Sequence, residues 1–143
     1  MKKILITGGA GFVGRNFTKY FLELGHDVTV VDSIVNLTGG IDPSNWVNYA
    51  PFDFKNFKFE KTDCREWFTR NNITDFDYVF HLAAMVCGRE IIENSPITVA
   101  DDLSIDSQFW QWATVNMPKK VVQFSSSACY PIEYQTKENY ILL

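Results

Sequence analysis

The chain has 143 residues, 46% of them hydrophobic, and a net charge of -4. A chain of this length buries roughly 70% of its unfolded surface, which is enough for one domain with its own core. The acidic balance argues against a nucleic-acid-binding surface, and no stretch approaches the roughly 18 apolar residues of a membrane span. We therefore expect neither a nucleic acid nor a membrane among its partners.

The three cysteines and two histidines argue against a disulfide-stabilised protein and against a histidine-based metal site. Cys64, Cys87 and Cys129 are scattered and form no C-x-x-C pair, which is typical of reduced thiols rather than of a disulfide framework. Two histidines are too few for a histidine-based metal site. The sequence therefore predicts a cytoplasmic protein without a metal.

The first part of the chain alternates short apolar runs with a helical pattern. Residues 3–7 predict a buried strand that stops at two glycines, and residues 28–31, all β-branched, predict a second strand that ends at Asp32. Between them, residues 12–24 predict a helix, and Gly25 suits a left-handed C-terminal cap. The predicted buried face of this helix consists of Phe17, Tyr20, Phe21 and Leu24.

The same alternation continues after an irregular segment. Residues 33–56 are too long for a structureless loop in a compact domain, so we expect a short helix or a binding function there. Beyond it, the patterns predict strands at 57–61, 78–82 and 121–125 and helices at 64–71 and 97–116. The last helix places four apolar residues on one face: Ile105, Phe109, Trp112 and Ala113.

Strands that alternate with helices predict right-handed βαβ units and a parallel sheet. The strands are near-continuous apolar runs, as expected of strands covered on both faces. The sequence thus predicts an α/β protein with a Rossmann-like, doubly wound parallel sheet of about five strands in three α/β/α layers, forming one domain over residues 1–143.

The turn after the first strand reads TGGAGFVG, with Gly8, Gly11 and Gly14 at three-residue intervals. Gly8 permits a tight turn, Gly11 removes a Cβ that would block a pyrophosphate, and Gly14 allows the following helix to pack closely. The helix N-terminus then offers free N–H groups to phosphates. Asp32, 18 residues beyond Gly14, can accept the ribose hydroxyls and would repel a 2′-phosphate, which favours NAD over NADP.

Four stretches together resemble the extended short-chain dehydrogenase/reductases, and within them the NAD-dependent epimerase/dehydratase family. The first is TGGAGFVG; the others are Thr62-Asp63, the HLAA at 81–84 and the FSSS at 124–127. All four follow strands, where ligands bind in open α/β sheets. The resemblance covers nearly the whole chain in order.

The resemblance implies NAD as the cofactor and a set of contacts along the strand ends. The expected cofactor-binding residues are Gly8, Gly11, Phe12, Val13, Gly14, Asp32, Ser33, Asp63, Cys64, Leu82, Ala83 and Ala84. Asp63 is also a candidate N-cap of the next helix, a role that does not exclude a contact to adenine. We interpret His81 as a structural residue of the strand end. Asp101 and Asp102 stand in a helix where the family usually carries an asparagine.

The resemblance also implies a catalytic serine, tyrosine and lysine. Counting from the strand gives Ser127 as the serine, whereas counting back from Tyr130 gives Ser126, because the loop is one residue shorter than usual. The tyrosine and lysine should form Y-x-x-x-K, but Tyr134 is followed four residues later by Glu138, and no such pair occurs. Cys129 is interpreted as a small buried residue rather than a proton carrier. We therefore expect the chain to be the N-terminal, cofactor-binding half of such an enzyme.

Two functions remain open at this point. The first is an NAD-dependent sugar-nucleotide epimerase or dehydratase that transfers a hydride between a sugar carbon and NAD, with most of the nucleotide-sugar site outside these residues. The alternative is a non-catalytic NAD-binding module that acts as a sensor or partner subunit, which the absent Y-x-x-x-K favours. The resemblance also implies a homodimer. Trp110, off the buried helix face, is a candidate for that interface or for the edge of the core.

Overall fold

The computed structural model describes residues 1–86, 93–125 and 131–134. The secondary structure consists of strands that alternate with helices along the chain. The strands are β1 (Lys3–Thr7), β2 (Asp27–Asp32), β3 (Phe57–Lys61), β4 (Tyr78–His81) and β5 (Lys120–Gln123). The helices are α1 (Phe12–Glu23), α2 (Cys64–Arg70) and α3 (Pro96–Asn116). The observed β4 ends one residue before the predicted end at residue 82. The observed β5 begins one residue and ends two residues before the predicted range 121–125.

All five strands are parallel and lie in the order β3-β2-β1-β4-β5. This order, with crossovers in opposite directions from β1, is that of a doubly wound sheet. The carboxyl ends of β1 and β4 therefore lie side by side at the point where the order reverses, with Thr7 beside His81. Ligands bind at this position in open α/β sheets.

Each face of the sheet is covered by helices. On β1, Leu5 faces α2 and α3, whereas Ile4 and Ile6 face α1. The predicted face of α3 is confirmed, because Ile105, Phe109, Trp112 and Ala113 are all buried in the first of these two clusters. The predicted three-layer α/β/α architecture is confirmed.

The predicted face of α1 is only half right. Phe17 and Phe21 pack against the core, but Tyr20 and Leu24 are 58% and 54% exposed. The buried residues of α1 are Gly14, Thr18 and Leu22. The small residues Gly14 and Thr18 let α1 lie close to the rest of the domain. The buried face of α1 is therefore decided partly by side-chain size and not by apolarity alone.

The C-terminus of α1 confirms the predicted glycine cap. Gly25 has φ +74°, its N–H bonds to Leu22 O at 2.9 Å, and the N–H of His26 bonds to Phe21 O at 3.0 Å. This pair of bonds is a Schellman motif, which satisfies carbonyls at the helix end and turns the chain into β2.

The irregular segment between β2 and β3 is folded against the body of the domain. It contains three short 3₁₀ helices: Asn36–Thr38, Pro43–Asn45 and Pro51–Asp53. The Tyr49 hydroxyl donates to Arg15 O at 2.8 Å, and the Ile41 N–H bonds to Ala10 O at 3.1 Å. The segment is thereby held beside the glycine-rich turn. None of the helices in the described ranges has the length and hydropathy that crossing a bilayer requires.

Candidate functional site

The glycine-rich turn is built around Gly8, which has φ +69°. Its N–H bonds to Val31 O at 2.9 Å, which ties the turn to β2. A Cβ on Gly8 would lie 2.6 Å from Ala83 N and 2.7 Å from Leu82 O. Glycine is therefore needed twice here, for the left-handed backbone and for the close approach of the chain leaving β4.

Gly14 packs closely, but against the turn rather than against a strand. A Cβ there would lie 2.4 Å from Gly9 Cα and 2.5 Å from Gly8 O. At Gly11 a Cβ would meet only Gly8 O, at 3.2 Å. Gly11 is the N-cap of α1 and has no side chain, so no cap side chain accepts from the first N–H groups of the helix.

Asp32 links the turn to the segment that follows β2. Its Oδ2 accepts the N–H of Ala10 at 2.9 Å, and its Oδ1 accepts the N–H of Ile34 at 2.6 Å. Burial raises the pKa of Asp32, although the two backbone bonds act in the opposite direction. Ile34 has φ +56°, an unfavourable backbone for a β-branched residue, and the Asp32 bond helps to hold it.

Asp63 is the N-cap of α2, as one of the two interpretations of this residue predicted. Its carboxylate accepts the N–H of Arg65 at 2.8 Å and pairs with the Arg65 guanidinium at 2.7 Å. The Arg65 hydrogen bonds hold the pKa of Asp63 below its ordinary value. Arg65 also donates to Ser104 Oγ at 3.0 Å, which connects α2 to α3. Sequence reasoning missed Arg65; its position two residues after an acidic N-cap was the available signal.

These features surround one cavity of about 340 Å³, which we call the glycine-turn cavity. Eleven of the twelve residues predicted to bind the cofactor line it: Gly8, Gly11, Phe12, Val13, Gly14, Asp32, Ser33, Asp63, Cys64, Leu82 and Ala84. Residues not predicted also line it: Val35, Thr38, Gly40, Arg65, Met85, Val86 and Ile105. Cys64 is buried, which raises the pKa of its thiol to about 12, so it contributes as an apolar group.

Ala83 does not line that cavity but a second one, of about 750 Å³, which we call the α3 cavity. The two cavities share Val13, Leu82, Ala84, Met85 and Val86, so they are contiguous. The rest of the α3 cavity is formed by His81, Asp102, Asp106, Gln123, Phe124 and Ser125.

His81 lines the α3 cavity, and its side chain is only 1% exposed. Its Nδ1 is 2.7 Å from Thr7 Oγ1, and its ring stacks on Phe109 with centroids 4.0 Å apart. Burial lowers the pKa of His81 to about 4, against the opposing charge of Asp102, so the ring is neutral at pH 7. The interpretation of His81 as a structural residue agrees with these contacts.

Asp102 is connected to this region by a hydrogen bond to the backbone segment that follows β4. Its Oδ1 accepts the N–H of Met85 at 2.6 Å. Phe124 and Ser125, which follow β5, line the same cavity. The predicted catalytic Ser126 and Ser127, with Cys129 and Tyr130, lie outside the described residues. Among the residues that are described, no group of three or more His, Cys, Asp or Glu is placed to hold a metal ion.

A profile of the NAD dependent epimerase/dehydratase family matches residues 4–141. The chain belongs to this family. The resemblance found in the motifs is confirmed, and the cofactor of the family, NAD, is the one that Asp32 favours.

Individual family members give a consistent result. CDP-paratose 2-epimerase of Salmonella typhi is 30% identical over 96% of this chain and 38% of its own length. The structure of an epimerase from Methanothermobacter thermautotrophicus is similar with a TM-score of 0.74 and 27% identity, over 93% of this chain and 38% of that one. The structure of UDP-N-acetylglucosamine 4-epimerase from Methanobrevibacter ruminantium M1 is similar with a TM-score of 0.71 and 25% identity, over 99% of this chain and 44% of that one. The chain thus spans about 40% of the length of these relatives.

Proposed function

We propose that these residues form the NAD-binding part of a sugar-nucleotide epimerase or dehydratase. The single observation that carries the proposal is the meeting of three features in one cavity. A carboxylate that suits ribose hydroxyls, Asp32, faces the same space as an uncapped helix N-terminus and a glycine turn without side chains. These are the three groups that a dinucleotide requires, for its adenosine ribose and its pyrophosphate.

The two contiguous cavities fit the two halves of a dinucleotide. The adenosine half belongs in the glycine-turn cavity, beside Asp32 and Asp63, because the ribose-binding carboxylate is there. The pyrophosphate belongs at the N-terminus of α1, whose residue Val13 lines both cavities. The nicotinamide half then extends into the α3 cavity. When bound, the cofactor supplies hydride-transfer chemistry; the residues of this chain bind it, orient it and line its path.

The substrate proposal depends on the relatives. One has a name that specifies a CDP-sugar, and another is described in complex with UDP-N-acetylmuramic acid. We propose a nucleotide-sugar as the substrate, with Ser127 or Ser126 as the donor of a hydrogen bond to the reacting oxygen. Both serines follow β5, whose end opens into the α3 cavity through Phe124 and Ser125.

A substitution at Gly11 tests the cofactor site without removing a structural contact. Gly11 has φ -73° and ψ 174°, which alanine adopts readily, and its Cβ would meet only one atom. Gly11→Ala should keep the melting temperature within a few degrees but weaken NAD binding, measured by calorimetry, by about tenfold or more, because the new methyl group occupies the pyrophosphate path.

Gly25→Ala is the matched control, because Gly25 lines neither cavity and a Cβ there meets nothing within 4 Å. It should leave NAD affinity unchanged. Equal affinity of wild type and Gly11→Ala, with both folded, would contradict the proposed pyrophosphate position.

Turnover of a nucleotide-sugar is a one-sided test of the non-catalytic module, because the N-terminal part of an enzyme is also expected to be inactive. No Y-x-x-x-K occurs in these residues, so we expect the 143-residue chain to bind NAD without transferring hydride. Detectable turnover of a nucleotide-sugar by this chain would exclude the module. The proposed homodimer is tested by sedimentation; exposed apolar residues on α3, including Leu103 and Trp110, are available for such a contact.

A further inference from the structure

Among its described lining residues, the α3 cavity has two carboxylates and no cationic side chain. Asp102 and Asp106, four residues apart on α3, both line it, and the Asp106 side chain is 46% exposed. No lysine or arginine is among the described residues that line this cavity. The guanidinium of Arg65 lines the neighbouring glycine-turn cavity, where it pairs with Asp63 and Asp101.

A second observation points to a ligand beside these carboxylates. His81 Nε2 is buried and has no hydrogen-bond partner in the part of the chain that is described, although Asp106 Oδ1 lies 3.4 Å away. The opposite nitrogen, Nδ1, is occupied by Thr7 Oγ1. Among the described residues, the His81 Nε2 side of the cavity is therefore left for a polar group of a ligand. Because the imidazole is neutral at pH 7, it does not offset the two carboxylates.

We infer that Asp102 and Asp106 make the α3 cavity selective for the oxidised, positively charged form of the nicotinamide ring over the reduced, neutral form. This inference rests on the proposed function, which places the nicotinamide half in this cavity. A positive ring is attracted by nearby carboxylates in a site that water only partly screens, and a neutral ring is not. An asparagine at position 102 would preserve the hydrogen bond to Met85 N–H but not the charge.

Calorimetric titration of the chain with three probes tests the inference: NAD⁺, NADH and ADP-ribose, which lacks nicotinamide. Wild type should bind NAD⁺ more tightly than NADH. Asp102→Asn and Asp106→Asn should each reduce that preference on the order of threefold to tenfold, as expected for the loss of one partly screened charge. The affinity for ADP-ribose should not change.

Asp53→Asn is the matched control, because Asp53 lines neither cavity and its substitution removes the same charge. It should leave all three affinities unchanged. An NAD⁺/NADH preference that is the same in wild type, Asp102→Asn and Asp106→Asn would overturn the inference, as would an equal change in ADP-ribose affinity. Failure of wild type to bind any of the three probes would instead overturn the proposed function.

Discussion

The carboxylate of Asp32 accepts the backbone N–H of Ala10 across the glycine-rich turn, at 2.9 Å. The residue expected to bind ribose therefore also holds the loop expected to surround the pyrophosphate. Its other oxygen accepts the N–H of Ile34 in a left-handed conformation. One side chain thus holds the glycine-rich turn and the segment after β2, both of which contribute residues to the glycine-turn cavity.

This double acceptor role makes Asp32 important for stability as well as for binding. In Asp32→Asn an amide NH₂ replaces one of the two carboxylate oxygens, and an NH₂ group cannot accept a hydrogen bond. Either the Ala10 N–H or the Ile34 N–H therefore loses its acceptor. We expect a loss of about 1–3 kcal/mol in the free energy of unfolding, the cost of one unpaired buried donor. Urea denaturation measures it. Asp53→Asn, exposed, should change stability little; equal stability of both variants would show that the two bonds do not hold the turn.

A second prediction compares two glycines, Gly14, where there is no space for a Cβ, and Gly25, where there is space but φ is positive. Gly14→Ala places a methyl group 2.4 Å from Gly9 Cα, a backbone atom that cannot move aside. We expect a loss of about 1–3 kcal/mol from overpacking. Gly25→Ala meets no atom but requires a left-handed alanine, which costs about 1 kcal/mol. Thermal melts of the two variants measure these losses, and a Gly14→Ala protein as stable as wild type would contradict the close packing of α1.

His81 should make folding stability depend on pH. Its pKa is about 4 in the folded protein and 6.5 in the ordinary case, so between these values the unfolded chain binds more protons. The contribution of His81 is therefore fully present above pH 6.5 and is lost as the pH falls toward 4. The measurement is the urea midpoint across this range.

His81→Gln should flatten that pH dependence. A titration of His81 by NMR with a midpoint near 6.5 would show that the ring is not buried as described.

The strands and the glycine-rich turn could be predicted from sequence because they depend on neighbouring residues. β1 is an apolar run that ends at two glycines, and the positive φ of Gly8 and Gly25 follows from their places at a strand end and a helix end. The face of α3 was also predictable, because Ile105 and Phe109 repeat at helical spacing and both are buried.

Contacts between distant parts of the chain were not predictable in the same way. The Asp32 bond to Ala10 spans 22 residues, and the Arg65 bond to Ser104 spans 39. Whether Ala83 faces one cavity or the other depends on the direction of the chain after β4. A prediction from apolarity alone placed Tyr20 in the core. In the structure Gly14 is buried instead, because α1 lies close to the glycine-rich turn.

The most direct test of the central claim is the affinity of the wild-type chain for NAD⁺ compared with NADP⁺, measured by calorimetry at one salt concentration. Asp32 lines the glycine-turn cavity, where we propose that the adenosine ribose binds, so a 2′-phosphate there would meet a carboxylate. We predict that NAD⁺ binds at least about tenfold more tightly, the discrimination expected from such a close like-charge contact. Equal or tighter binding of NADP⁺ would contradict the assignment of Asp32 and, with it, the NAD site.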